Sequence, residues 1–198
     1  AFVFLRRSVL FCATRFMKLA ILDRIGTLNA EGEDSIVALQ DWQPQAGVLE
    51  AIAQLNRAGW YVTLATNQPG LGRGSFDVTE INAIHTRMQR ELAQAGARIE
   101  AVFFCPHTPE DQCSCRKPAP GLLQQIAARY GAEAHEVWVI GQEWVHLQAG
   151  AAMGAHLIWM GSADAAALSP DWSDVAHYPH WEAMAHALAP DAQNSRPT

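Results

Sequence analysis

Two groups of residues in this 198-residue chain are of types that do chemistry. The first is Cys105-x-His107 followed by Cys113-x-Cys115, three thiols and one imidazole within eleven residues. That density points to a metal site more than to a disulfide framework. Four such ligands close a tetrahedral zinc site of the structural kind, with no position left open for chemistry. The second group is scattered: Asp23, Thr66, Lys117 and Gly141. A carboxylate can attack phosphorus and form an aspartyl phosphate. A threonine hydroxyl and the amides after it can hold phosphate oxygens. A lysine can neutralise charge on the phosphoryl group. Arg73, in a glycine-flanked loop, can grip a second phosphate or a sugar hydroxyl. Together these types suggest phosphoryl transfer.

The surrounding pattern must bring the scattered residues together. Leu19–Leu22 is a short apolar run that ends at Asp23 and is followed by Gly26-Thr27, which reads as a buried parallel strand. Trp60–Ala65 reads as a second strand, and Thr66–Gly74 as a Gly-rich loop after it. Ile99–Cys105 reads as a third strand, Val137–Ile140 as a fourth ending at Gly141, and His156–Met160 as a fifth. Helical spacing covers Gly47–Ala58, Thr79–Ala95, Pro120–Tyr130 and Val145–Met153. Strands alternating with helices imply an α/β, doubly wound parallel sheet. Right-handed crossovers then place the carboxyl ends of the first, second and fourth strands side by side. Asp23, Thr66 and Gly141 should converge there, with Lys117 arriving on the loop before the fourth strand. Open α/β sheets bind their ligands at that edge.

Composition agrees with a single domain. Hydrophobic residues make up 49% of the chain, enough for a full core. The net charge is -6 and the pI about 5.7, which argues against a nucleic-acid surface. No apolar run reaches the length of a membrane span. Residues 1–16 carry three arginines and no acid; they are expected to be an N-terminal extension outside the native domain. Residues 17–190 are expected to form the domain, and 191–198 a disordered tail.

Four stretches carry a resemblance to a known family: LDRIGTLN (22–29), ATNQPGLGRGSF (65–76), CPHTPEDQCSCRKPAPGLL (105–123) and VIGQEWVHLQAG (139–150). The chain resembles the haloacid dehalogenase superfamily, and within it the D-glycero-D-manno-heptose 1,7-bisphosphate 7-phosphatases and their relatives the histidinol-phosphatases. The resemblance runs from Met17 to about Met160. It implies a Rossmann-like sheet without a large cap domain and removal of phosphate from a sugar bisphosphate. It implies Asp23 as nucleophile, Lys117 as a catalytic cation, and Thr66, Asn67, Arg73 and Arg116 as phosphate- and substrate-binding residues. It implies structural zinc on the Cys/His loop beside the substrate pocket and Mg²⁺ at the centre. A monomer and a cytoplasmic location are expected.

The sequence departs from the family where its catalysis resides. The family's first motif is Asp-x-Asp-Gly-Thr, and Ile25 stands in place of the second Asp. In the family that Asp protonates the leaving oxygen and then activates water; isoleucine has no proton to give. The fourth-strand motif is Gly-Asp-x-x-x-Asp, and here Gln142 and His146 replace the two acids. Mg²⁺ prefers carboxylates, so a set of Asp23, Gln142 and His146 should hold it poorly. Loss of acid–base help costs ~10²–10⁴ in rate. Loss of a metal removes several kcal/mol more, at about 1.4 kcal/mol per tenfold. Pro69, where serine is usual, removes one backbone donor. The chain therefore reads as an inactive or severely impaired phosphatase. Two alternatives stand beside this reading. One is a working phosphatase whose metal ligands have shifted to Glu143 or His146. The other is a sugar-phosphate-binding or partner-binding module. Trp144, beside the altered motif, is expected to fill the space an ion would occupy.

Overall fold

The structure is a computed structural model, and it describes residues 17–24, 26–29, 42–75, 78–161, 172 and 175–190. The expected extension (1–16), tail (191–198) and Ile25 lie outside the described residues. Six strands form one sheet: β1 Leu19–Leu22, β2 Tyr61–Asn67, β3 Ala101–Cys105, β4 Val137–Gly141, β5 His156–Met160 and β6 Ala176–Tyr178. Their order is β3-β2-β1-β4-β5-β6, and every neighbouring pair is parallel. The helices are α1 Val48–Arg57, α2 Pro69–Gly72, α3 Val78–Gln94, α4 Gly121–Tyr130, α5 Trp144–Met153 and α6 Trp181–Leu188. None of them is long and apolar enough to cross a membrane.

Alternation along each strand splits the core into two layers. Ala20 and Leu22 of β1, Val62 and Leu64 of β2 and Ile140 of β4 face a layer containing Val48, Ile52 and Leu55 of α1, Ile84, Met88 and Leu92 of α3, and Trp181 and Met184 of α6. Leu19 and Ile21 of β1 and Val137 and Val139 of β4 face the other layer, with Leu122, Leu123 and Ile126 of α4 and Leu147 of α5. The sheet is thus covered on both sides, as a parallel sheet must be.

Two elements go beyond the sequence reading. The Gly-rich loop contains one helical turn, α2, which starts at Pro69, where a fixed φ and a missing N–H suit a first position. The chain after β5 adds β6 and α6. β6 is Ala-His-Tyr, its first two residues exposed, with no apolar run to mark it. α6 does carry a helical signal, since Trp181, Met184 and Ala185 are buried on one side. It is tied to α1 by Gln54, whose Nε2 donates to Ala189 O at 2.9 Å.

Candidate active site and metal centre

The carboxyl ends of β1, β2 and β4 converge as the crossover rule requires. Asp23 directly follows β1 and Thr66 is the penultimate residue of β2, each almost fully buried. Lys117 reaches them from the loop between β3 and α4. Its Nζ donates to Asp23 Oδ2 at 2.5 Å, to Ala65 O at 3.0 Å and to His146 Nδ1 at 3.3 Å. Both members of the ion pair are sealed, with side chains 2% and 5% exposed. Asn67 holds the Lys117 backbone at both ends: its Nδ2 donates to Lys117 O, and its Oδ1 accepts from Lys117 N, each at 3.1 Å. A cavity of about 160 Å³ opens over this floor, lined by Asp23, Thr66, Asn67, Arg116, Lys117 and Glu143 among others.

Electrostatics fix the protonation states. Burial works against the Asp23 carboxylate, but the Lys117 charge, His146 and hydrogen bonds from Lys117 and the Arg24 amide outweigh it, so the carboxyl lies below its usual range. His146 is fully buried on α5. Burial, and then the Lys117 charge, bring its pKa down to about 4. Its ring is therefore neutral at pH 7. Its Nε2 lies 3.1 Å from Ile21 O, an acceptor, so Nε2 carries the proton and Nδ1 accepts from Lys117.

Magnesium, implied by the resemblance, does not fit these residues. Among the described residues the cavity is lined by two carboxylates, Glu143 and, at its buried end beside Lys117 and His146, Asp23. Its Oδ2 holds the Lys117 ammonium, and its Oδ1 accepts the Arg24 amide at 2.8 Å. Both ring nitrogens of His146 are engaged. Among the described residues, the one cluster of three or more acidic, histidine or cysteine groups with a metal-binding geometry is Cys105, His107, Cys113 and Cys115. A hard dication wants several oxygens, and here it would meet an ammonium instead.

Other expected residues fall as follows. Arg116 and Lys117 line the cavity, while Arg73 is exposed beyond α2 and does not line it. Glu143, not Gln142, lines the cavity; both side chains lie near Gly26 on the loop after β1. Trp144, expected to fill an ion's space, is not among the residues that line the cavity. It stacks on Trp159 with ring centroids 4.4 Å apart and packs into the α4–α5 layer.

Arg24 gave no signal in the sequence. It is fully buried, its NH1 meets His85 Nε2 at 3.4 Å, and its Nε and NH2 have no hydrogen-bond partner among the described residues. Burial lowers its pKa to about 10, and Asp23 partly opposes this.

The Cys/His loop brings its four candidate ligands together. The four ligand atoms lie within 4.8 Å of one another. Cys115 Sγ is 3.2 Å from Cys105 Sγ, 3.4 Å from Cys113 Sγ and 3.2 Å from His107 Nδ1, and Cys105 Sγ is 3.6 Å from Cys113 Sγ. Separations of this size suit four ligands around one ion with metal–ligand bonds of ~2.0–2.3 Å. Thr108 and Asp111 cap a short turn between the ligand pairs. Arg116 NH1 donates to His107 O at 3.2 Å and ties the metal loop to the cavity wall.

The sheet is parallel, with a carboxylate just after its first strand, a threonine near the end of its second and a buried lysine paired to that carboxylate. Residues 15–154 match the family model described as haloacid dehalogenase-like hydrolase, and the chain belongs to that family. Within it, the chain is similar to proteins named D-glycero-beta-D-manno-heptose-1,7-bisphosphate 7-phosphatase. It is 47% identical to that of Bordetella bronchiseptica over 138 residues, covering 70% of this chain and 77% of that protein. It is 44% identical to that of Neisseria meningitidis serogroup A, covering 70% and 74%. The crystal structure of D,D-heptose 1,7-bisphosphate phosphatase from B. bronchiseptica, complexed with magnesium and phosphate, superposes with a TM-score of 0.82 at 39% identity, over 88% of this chain and 99% of that one.

Proposed function

We propose that this chain is a sugar-phosphate-binding relative of the heptose bisphosphate phosphatases in which turnover is lost or severely impaired. The observation that carries the reading is His146. Its neutral imidazole bonds Lys117 and Ile21 O, so the centre of the site is closed by an internal hydrogen-bond network. Asp23 keeps its place to attack phosphorus, and Lys117 keeps it ionised. The attack would expel a sugar alkoxide, a poor leaving group unless it is protonated as the P–O bond breaks. Ile25 cannot supply that proton, nor can it later activate water. Binding survives this loss: Thr66, Asn67, Arg116 and Lys117 surround the cavity, and the 42–47% identity to heptose bisphosphate phosphatases supports a phosphorylated sugar as ligand. We further assign zinc to Cys105, His107, Cys113 and Cys115, where three thiolates and one imidazole suit it over a harder ion. Its role is structural, since all four positions are filled by protein.

The test is phosphate release from D-glycero-β-D-manno-heptose 1,7-bisphosphate with added Mg²⁺. The natural chain runs beside a variant carrying Ile25→Asp, Gln142→Asp and His146→Asp. A silent natural chain and an active variant support the reading. Turnover by the natural chain that Asp23→Asn abolishes would overturn it.

A further inference from the structure

We infer that the Asp23–Lys117–His146 chain takes over the organising role of a divalent cation, making this a metal-independent site for a phosphate monoester or inorganic phosphate. The inference rests on the phosphate-binding part of the proposed function and adds what that reading leaves open, the ion requirement.

The argument starts from donors and acceptors. An ammonium has three N–H bonds and no acceptor. All three on Lys117 have partners inside the protein, namely Asp23 Oδ2, Ala65 O and His146 Nδ1. His146 donates its one proton to Ile21 O, a backbone group of β1. Each polar atom of the chain is thus satisfied by protein, and its net charge is zero. A floor built from uncompensated carboxylates would need a cation before it could accept a phosphate dianion. This floor does not, because Lys117 already neutralises Asp23 at contact distance. An acid at position 146 would break the balance, since it would bring a second buried negative charge beside Asp23. Histidine there is neutral, and it supplies the third acceptor that fixes the ammonium.

The surface above this floor offers phosphate several donors. The Thr66 hydroxyl has only long contacts, to Asn67 O and from Gln68 Nε2, both at 3.4 Å. It is free to turn toward an oxyanion. Arg116 lines the same cavity and adds a full positive charge at its wall. Glu143 lines the same cavity. Here His146 is a positioning residue: it touches Lys117, not the ligand.

The experiment measures binding of inorganic phosphate, and separately of a sugar phosphate, by calorimetry on the full chain. The buffer is stripped of divalent ions on a chelating resin, and the metal content of the Cys/His loop is checked after stripping. Titrations are repeated with millimolar Mg²⁺. The natural chain should bind with the same Kd, within about twofold, in both buffers. The Gln142→Asp, His146→Asp variant should bind at least tenfold more tightly with Mg²⁺ than without. His146→Gln, which keeps the site uncharged, should stay indifferent to Mg²⁺ while binding more weakly, and this separates charge from mere packing. A natural chain whose phosphate affinity rises tenfold with Mg²⁺ overturns the inference and leaves the proposed function standing. A folded natural chain that binds neither ligand in either buffer overturns both.

Discussion

The Asn67 side chain clamps the Lys117 peptide by two hydrogen bonds of 3.1 Å, one donated and one accepted, across fifty residues of sequence. The last residue of β2 therefore sets the position of the lysine that pairs with Asp23. The asparagine expected to bind phosphate uses its amide to hold the backbone of its cationic neighbour. Asn67→Ala should destabilise the fold by about 1–3 kcal/mol, two hydrogen bonds at ~0.5–1.5 kcal/mol each. It should also weaken phosphate binding by freeing Lys117. Urea unfolding with phosphate titration of the same variant measures both. Unchanged affinity would show that Lys117 holds its place without the clamp.

Cys115 touches all three other members of the Cys/His set. Arg116 and Lys117 follow it directly, and Gly121 N at the start of α4 donates to Ser114 O at 3.0 Å. Removing the metal should therefore loosen the cavity wall as well as the loop. The purified chain should carry one zinc per molecule by elemental analysis. Cys115→Ser should carry far less, melt at least ~2–4 °C lower, as a loss of about 1 kcal/mol would give, and bind phosphate more weakly. A zinc-free Cys115→Ser that melts and binds as the natural chain does would show that the loop folds by itself.

α5 lies unusually close to the sheet. A Cβ placed on Gly150 would sit 2.8 Å from Val139 Cβ and 2.8 Å from Leu157 Cδ2. Gly150→Ala gains helix propensity of up to ~1 kcal/mol. Against this stands overpacking of ~1–3 kcal/mol, since the neighbours belong to β4 and the strand beside it. Crowding should prevail, with a net loss of about 1 kcal/mol and a lower melting temperature. A more stable variant would mean that α5 can shift outward without cost.

Much of this was legible in the chain itself, for physical reasons. β1, β4 and β5 are apolar runs bounded by turn residues, and a parallel sheet buried on both faces requires such runs. The meeting of Asp23, Thr66 and Lys117 followed from strand order and crossover hand alone. The clustering of Cys105, His107, Cys113 and Cys115 was plain because all four lie within eleven residues. The remainder depends on long-range side-chain contacts that no local pattern encodes. Nothing near Asn67 says that its amide reaches Lys117. Nothing near His146 says that its ring bridges Lys117 and the β1 backbone. Glu143 rather than Gln142 lines the cavity, and its backbone at the start of α5 is still extended, where neighbouring side chains point apart. β6 escaped notice because three residues without an apolar run carry no periodic signal.

His85 offers a test of the buried Arg24. Its Nε2 lies 3.4 Å from Arg24 NH1, and since the guanidinium can only donate, Nε2 must be the bare acceptor. Burial, and then the Arg24 charge, lower the His85 pKa from 6.5 to about 4. In the unfolded chain the ring takes up a proton near pH 6.5, while the folded protein resists protonation until about pH 4. The unfolded state thus binds more protons between these values. Stability from this group is complete above pH 6.5 and is lost as pH falls toward 4. Urea midpoints measured from pH 7 to pH 4.5 should fall for the natural chain. They should fall less steeply for His85→Gln, whose amide oxygen can still accept from Arg24 without titrating. The two slopes are compared rather than the absolute midpoints, because other acid-sensitive groups are common to both proteins. Parallel slopes would mean that His85 protonates in the folded state as easily as in water, and that the Arg24 guanidinium is not held against it.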